Sequence, residues 1–353
     1  MLNPALSCRS EVFYNEKDGA KLSDFDYFLP KELIAQEPLA RRDSSRLLVI
    51  DRQKKTISHR LFKDLPEYLM KDDILVLNNT KVLPVRLLGF KKDTLGKVDA
   101  LLTSRLSDKK FQVLLRPSLK INQEVVFSGG SVKARVVSPG VLEFDQDMSA
   151  EVLEKIGIMP LPPYIKRTPR IEDNQRYQTI YASNPGAIAS PTAGLHFTAE
   201  LIAELKNKGV EIAYLSLHTG IGTFKPVKTE DIREHKMEKE EFVIPQETLR
   251  LLSRAQMNKQ RIFAVGTTTT RALETIALYP PTAGLQGYAD IFIYPGYDFK
   301  IVNCLLTNFH LPKTTLLMLV SALAGRGLIT RAYQEAIEKK YRFYSYGDAM
   351  LII

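Results

Sequence analysis

The chain has 353 residues, enough for two domains and a substantial core. Hydrophobic residues make up 44% and charged residues 25%, which excludes a disordered chain as the starting reading. The net charge of +9 suits a polyanionic partner, and two cysteines, Cys8 and Cys304, exclude a disulfide framework or a Cys-rich zinc site.

Residues 1–22 show no periodicity and read as a loose extension. They lack a basic segment followed by an apolar core, so no secretory signal is expected. Residues 47–50 read as a buried strand. From 72 to 147 short β-rich runs recur, at 74–77, 82–88, 98–102, 111–115, 124–127, 132–137 and 141–144. Turn signals separate them, among them Asn78-Asn79, Gly129-Gly130 and Pro139-Gly140. This spacing predicts a small antiparallel barrel or sandwich, with Pro84 at an edge or bulge. A helix follows from Ala150, ended by Gly157. The proline-rich stretch 158–170 is an extended loop.

Beyond Pro191 helix and strand alternate. Thr198 caps a helix that ends at Gly209, and 210–217 is a strand. Helix 246–258 precedes strand 261–265, and helix 271–278 precedes strand 290–294. A strand at 304–306 leads to helices 314–324 and 331–340. The apolar run 316–325 is about half of the roughly 20 residues that span a bilayer, so a cytoplasmic protein is expected. The expected architecture is an α/β catalytic domain with a largely parallel sheet (residues 1–71 and 148–353), carrying an inserted all-β, barrel-like domain (72–147).

Ligands of open α/β sheets bind beyond the carboxyl ends of the strands. The loops there begin at His218, Gly266, Pro295 and Thr307, and all four are expected on one edge. Segment 191–198, which leads into a helix, is expected to join them. Gly266-Thr-Thr-Thr-Thr-Arg271 has more threonines than one helix cap needs, so contact with an anionic or polar ligand is expected. It is not a Walker A loop, and Gly220-Ile-Gly222 opens no helix, which disfavours a Rossmann loop. Three of the five histidines, His196, His218 and His310, fall in these loops and are the acid/base candidates. No His/Cys spacing supports a metal. The charge run 233–241 reads as a solvated helix face, although His235 and Glu238 together also suit proton transfer. Arg41, Arg42 and Arg46, and Lys166, Arg167 and Arg170 beside Tyr164, suit RNA backbone contact and base stacking.

Ten ordered blocks carry a resemblance. They are DFDYFLPKELIAQEPLARRDSSRLL (24–48), VLNNTKVLPVRL (76–87), MPLPPYIKR (159–167), YQTIYASNPGAIASPTAGLHFT (177–198), LHTGIGTFKPV (217–227), HKMEKEEF (235–242), VGTTTTRALE (265–274), IYPGY (293–297), LLTNFHLPKTTLLMLVSALAG (305–325) and YRFYSYGDAMLI (341–352). On these the chain resembles the S-adenosylmethionine:tRNA ribosyltransferase-isomerases of the queuosine pathway (the QueA family). It departs at Glu238, where the family usually has histidine, and at Ser190, Thr219 and Thr314, where alanine, an aliphatic residue and serine are commoner.

The resemblance implies ribosyl transfer from S-adenosylmethionine to the aminomethyl group of 7-aminomethyl-7-deazaguanine at the tRNA wobble position. Epoxyqueuosine-tRNA, adenine and methionine would be the products. It implies S-adenosyl-L-methionine as co-substrate and tRNA as partner, with no prosthetic group or metal. A monomer without a membrane partner is expected. His196, His218 and His310 would supply acid/base groups. Gly220, Gly222, Thr267, Thr268, Thr269, Arg271 and Asn308 would line the S-adenosylmethionine pocket. Two alternatives stay open, an S-adenosylmethionine-dependent tRNA methyltransferase and a non-catalytic RNA-binding protein.

Overall fold

The structure, a computed structural model, describes residues 21–220, 227–278 and 285–353. Its strands in chain order are β1 (Arg46–Asp51), β2 (Thr56–Leu61), β3 (Ile74–Asn78), β4 (Thr80–Val82), β5 (Arg86–Lys91), β6 (Lys97–Arg105), β7 (Lys110–Arg116), β8 (Glu124–Phe127), β9 (Val132–Ser138) and β10 (Val141–Phe144). There follow β11 (Asn184–Ala187), β12 (Glu211–Leu217), β13 (Glu240–Ile244), β14 (Ile262–Val265), β15 (Leu285–Ala289), β16 (Cys304–Asn308) and β17 (Ala349–Ile352). The α-helices are α1 (Ala150–Ile156), α2 (Asp173–Arg176), α3 (Ala199–Asn207), α4 (Gln246–Met257), α5 (Thr267–Leu278), α6 (Thr315–Ala324) and α7 (Arg326–Glu338).

The chain forms two compact units. One holds the described residues up to Asn78, those of 192–217 and those from 227 on; the other holds 79–191 and 218–220. The first is built on a nine-stranded sheet in the order β15-β13-β12-β3-β14-β16-β17-β1-β2. Strands β3, β14, β16 and β17 are buried along their whole length, which is why their sequences are near-continuous apolar runs.

The sheet is mixed, and the expectation of a largely parallel sheet is corrected. β12·β3, β3·β14, β14·β16 and β17·β1 are parallel, while β15·β13, β13·β12, β16·β17 and β1·β2 are antiparallel. Two further differences explain this. The strand expected at 290–294 lies earlier, at β15, and the charged stretch 233–241 contains the start of β13. Ile74–Asn78, grouped in the sequence with the inserted run, is a central strand of this sheet.

The second unit holds a closed barrel in the order β10-β7-β6-β5-β8-β9 and a two-stranded β11-β4 sheet. Its strands alternate buried and exposed positions, as in β6 and β9, because one face fills the barrel. The run expected at 82–88 is split at Pro84 between β4 and β5. Gly157 ends α1 as expected; a side chain there would run into the Pro84 carbonyl, 1.6 Å from an added Cβ.

Strand direction gathers several strand ends at one edge of the large sheet. The carboxyl ends of β3, β12, β14 and β16 lie there, and the antiparallel pair Asn308↔Ala349 and parallel pair Leu47↔Ala349 bring the amino ends of β17 and β1 to the same edge. No single helix among the described residues is long and apolar enough to cross a membrane.

Candidate active site

Asn78 closes the apolar run of β3 at this edge. Its amide pairs both ways with Leu217, Nδ2 donating to the carbonyl and Oδ1 accepting from N–H, each at 3.1 Å. Nδ2 also lies 3.4 Å from Thr268 Oγ1. Gly266 precedes α5, and an added Cβ there would be 3.8 Å from the Cβ of Ala193. Segments 192–196 and 266–268 therefore meet, as expected.

Segment Thr192–His196 is a 3-10 turn with Ala193, Gly194, Leu195 and His196 buried. Thr198 then caps α3 by accepting from Leu201 N–H at 3.2 Å. His196 is only 4% exposed. Nδ1 is 2.7 Å from Ser45 Oγ and Nε2 is 3.1 Å from Asn308 Nδ2. Burial, with the Arg42 and Arg342 guanidiniums nearby, pushes its pKa down to about 3. His310 is also buried. Its Nε2 lies 3.1 Å from Thr307 Oγ1, and its backbone carbonyl accepts from Tyr27 and its N–H donates to Tyr333. Burial pushes its pKa to about 3 as well.

These two imidazoles tie stability to pH. Each is neutral in the fold, whereas an exposed histidine titrates near 6.5. As pH falls below about 6.5 the unfolded chain takes up protons first, so stability is full above that pH and declines below it. The expected loss is up to about 1.4 kcal/mol per pH unit for each imidazole, continuing toward pH 3. Urea midpoints at pH 7.5 and pH 5 read this directly; equal midpoints would mean that neither histidine is held neutral.

The threonine run divides by role. Thr269 Oγ1 donates to the Val265 carbonyl at 2.7 Å and Thr270 Oγ1 to the Gly266 carbonyl at 3.2 Å, so both bond back to the i−4 carbonyls that lead into their helix. Thr268 Oγ1 lies instead beside Asn78, at the end of β3. Arg271 faces inward: it pairs with Glu240 and donates to the Ala289 carbonyl at 2.8 Å. Both charged side chains are about 5–6% exposed, so Arg271 braces α5 against β13 and β15. Glu240 belongs to the run read as a solvated helix face, and that reading is corrected. Half-buried His235 in the same run packs edge-on against Phe292.

His218 and Gly220 belong to the second unit, and Gly222 lies outside the described residues. His218 is half-buried, with Nδ1 2.8 Å from Thr80 Oγ1. Gly186, at φ +153°, packs against the ring; a Cβ there would come within 2.8 Å of it. The hydroxyls of Ser190 and Thr219, two of the family departures, are buried without a partner among the described residues.

The RNA candidates differ in exposure. Arg46 is committed to Asp348, to carbonyls at the end of α7 and to the Tyr341 ring. Arg42 donates to the Leu195 carbonyl at 2.9 Å. Arg167 makes two 2.7 Å bonds to buried Asp173. Arg41, Lys166 and Arg170 are exposed, and Tyr164 is half-buried.

Sequence reasoning missed Ser45, Asn78, Thr80 and Tyr344. Asn78 carried a usable signal, an amide ending a wholly apolar run. The others become visible only through their long-range partners.

Three comparisons bear on this geometry. The family described as queuosine biosynthesis protein matches residues 22–352. An S-adenosylmethionine:tRNA ribosyltransferase-isomerase from a Sulfurihydrogenibium species is 52% identical over 338 residues, 94% of this chain and 100% of the relative. One of the same name from Carboxydothermus hydrogenoformans is 49% identical, with the same coverage of both chains. The crystal structure of an S-adenosylmethionine tRNA ribosyltransferase from Thermotoga maritima is 38% identical, with TM-score 0.56, covering 94% of this chain and all of that one.

Proposed function

Because the chain belongs to the queuosine biosynthesis protein family, we infer that it transfers and isomerises the ribosyl part of S-adenosylmethionine onto tRNA. The observation that carries this is similarity of about half the residues along the full length of relatives bearing that name. The acceptor is the aminomethyl group of 7-aminomethyl-7-deazaguanine at the wobble position. The products are epoxyqueuosine-tRNA, adenine and methionine. S-adenosylmethionine is a co-substrate, not a resident cofactor. The enzyme works as a monomer in the cytoplasm, beside its tRNA, with no membrane partner.

The reaction makes three demands. A base removes a proton from the 5′ carbon, which the sulfonium acidifies. Adenine leaves with a proton or a polar contact. The attacking amine is neutral. His218 is the proposed proton-transfer group, since it combines partial exposure with a held ring nitrogen. Thr267, Thr268 and Asn308, at the carboxyl edge of the sheet, are the proposed S-adenosylmethionine contacts; Gly220 and Gly222 are proposed as contacts from the sequence alone. Arg41, Lys166 and Arg170, with Tyr164, are the proposed tRNA contacts. The α/β part is the proposed S-adenosylmethionine-binding domain, and the second unit, which carries His218, interrupts it in sequence.

The test is incubation with modified tRNA and methyl-labelled S-adenosylmethionine. Label recovered in methionine, with equimolar adenine, is the expected result. Label entering the RNA would instead identify a methyltransferase, and no product would favour a binding protein.

A further inference from the structure

The hydrogen bonds around His196 end on two backbone carbonyls, and these carbonyls settle where each proton sits. The Tyr344 carbonyl, 3.0 Å from the Asn308 amide, can only accept. The atom facing it is therefore Nδ2, and Oδ1 is turned the other way. The second Nδ2 proton meets His196 Nε2 at 3.1 Å, so Nε2 accepts and the ring proton lies on Nδ1. Nδ1–H donates to Ser45 Oγ at 2.7 Å, and Ser45 donates onward to the Arg42 carbonyl at 3.4 Å. Phe62 stacks on the imidazole with ring centroids 4.9 Å apart.

Both Nδ2 protons are thus spent inside the protein. Asn308 is 3% exposed, and among the described residues nothing donates to Oδ1. Buried carbonyl oxygens are nearly always satisfied, so an orphan at a candidate site points to a ligand donor. Its surroundings narrow the donor. Two guanidiniums, those of Arg42 and Arg342, lie near the imidazole. They disfavour a protonated imidazole and a ligand ammonium alike.

We propose that His196 is a positioning residue that locks the Asn308 amide, so that Oδ1 accepts from a neutral N–H group of the substrate. This rests on the functional reading above, where that group is the adenine amino group of S-adenosylmethionine. The methionine ammonium is the wrong charge for this spot.

Two measurements test it. Imidazole ¹⁵N spectra should show His196 as the Nδ1–H tautomer, unchanged from pH 5.5 to 8.5; an Nε2–H tautomer or a titration in that range would overturn the arrangement. Kinetics should compare S-adenosylmethionine with its deaminated analogue, which carries a carbonyl where adenine has the amino group. The wild type should favour the amino compound by about 10–100-fold in kcat/KM, the loss of one buried hydrogen bond. Asn308→Ala should bring that ratio close to one. His196→Gln, which keeps an acceptor for Nδ2, should retain both the preference and the shape of the pH–kcat profile. A drop of about 10³-fold in kcat for His196→Gln, with loss of one limb of the profile, would instead mark proton transfer. If the wild type turned over neither compound the functional reading would fail, and the ¹⁵N tautomer would still decide the His196 arrangement.

Discussion

His218→Ala is expected to lower the single-turnover rate of adenine release by about 10²–10⁴-fold, the usual range for a positioned proton-transfer group. Three features support this. The ring is half-buried, so it can exchange protons in a way that fully buried His196 and His310 cannot. Its Nδ1 is held by Thr80 Oγ1 at 2.8 Å, and that hydroxyl lies 3.5 Å from the Asn184 carbonyl. The ring orientation is thus fixed from behind. Gly186 supplies a flat floor, where any side chain would press on the imidazole and would also be strained at φ +153°. Gly186→Ala should therefore slow turnover as well, by about 10-fold, through displacement of the ring. Circular dichroism and urea unfolding would check that both variants fold. Wild-type turnover in His218→Ala would remove this histidine from the chemistry.

The difference among the three histidines was not legible in the sequence. His218 and His310 follow apolar runs and His196 precedes a helix, and only burial separates them. What was legible followed from patterns of local origin. The unbroken apolar runs of β3, β14 and β16 reflect strands buried on both faces, and the alternation in β6 and β9 reflects a barrel wall. Gly157 and Thr198 punctuated helices as their chemistry requires. The shared edge of the strand ends could be named from the order of strands and loops alone. What failed depended on distant partners. β13 hides in a charged stretch because buried Glu240 is compensated by Arg271, 31 residues away in sequence. The antiparallel pairing of β16 with β17 joins strands about 40 residues apart, across two helices, so no local pattern reveals that the sheet is mixed there. The division of roles within the threonine run was hidden for a related reason: two of its hydroxyls bond to the carbonyls of Val265 and Gly266.

The Arg271–Glu240 pair carries the second large effect. Glu240→Ala is expected to cost about 3–5 kcal/mol of folding stability, because it leaves a buried guanidinium with only carbonyl partners. The pair sits where α5 crosses the β13–β15 edge: Glu240 is paired with Ala289 across that ladder, and Arg271 donates to the Ala289 carbonyl as well. One side chain thus clamps two strands to a helix. Arg271→Leu should cost a similar amount, since it leaves the carboxylate buried alone. The double variant Glu240→Leu/Arg271→Leu should recover most of the loss, because an apolar pair of similar volume has no charge to desolvate. What remains lost is the hydrogen bonding of the carbonyls that Arg271 served, about 1–3 kcal/mol for each one left unsatisfied. Urea unfolding of the four proteins forms a double-mutant cycle that isolates the pair. The same proteins separate a strut from a ligand contact. A strut predicts that the double variant, once folded, keeps a KM for S-adenosylmethionine within a few-fold of wild type. If Arg271 held the co-substrate, restoring stability would leave KM high, and Glu240→Ala would leave stability almost unchanged.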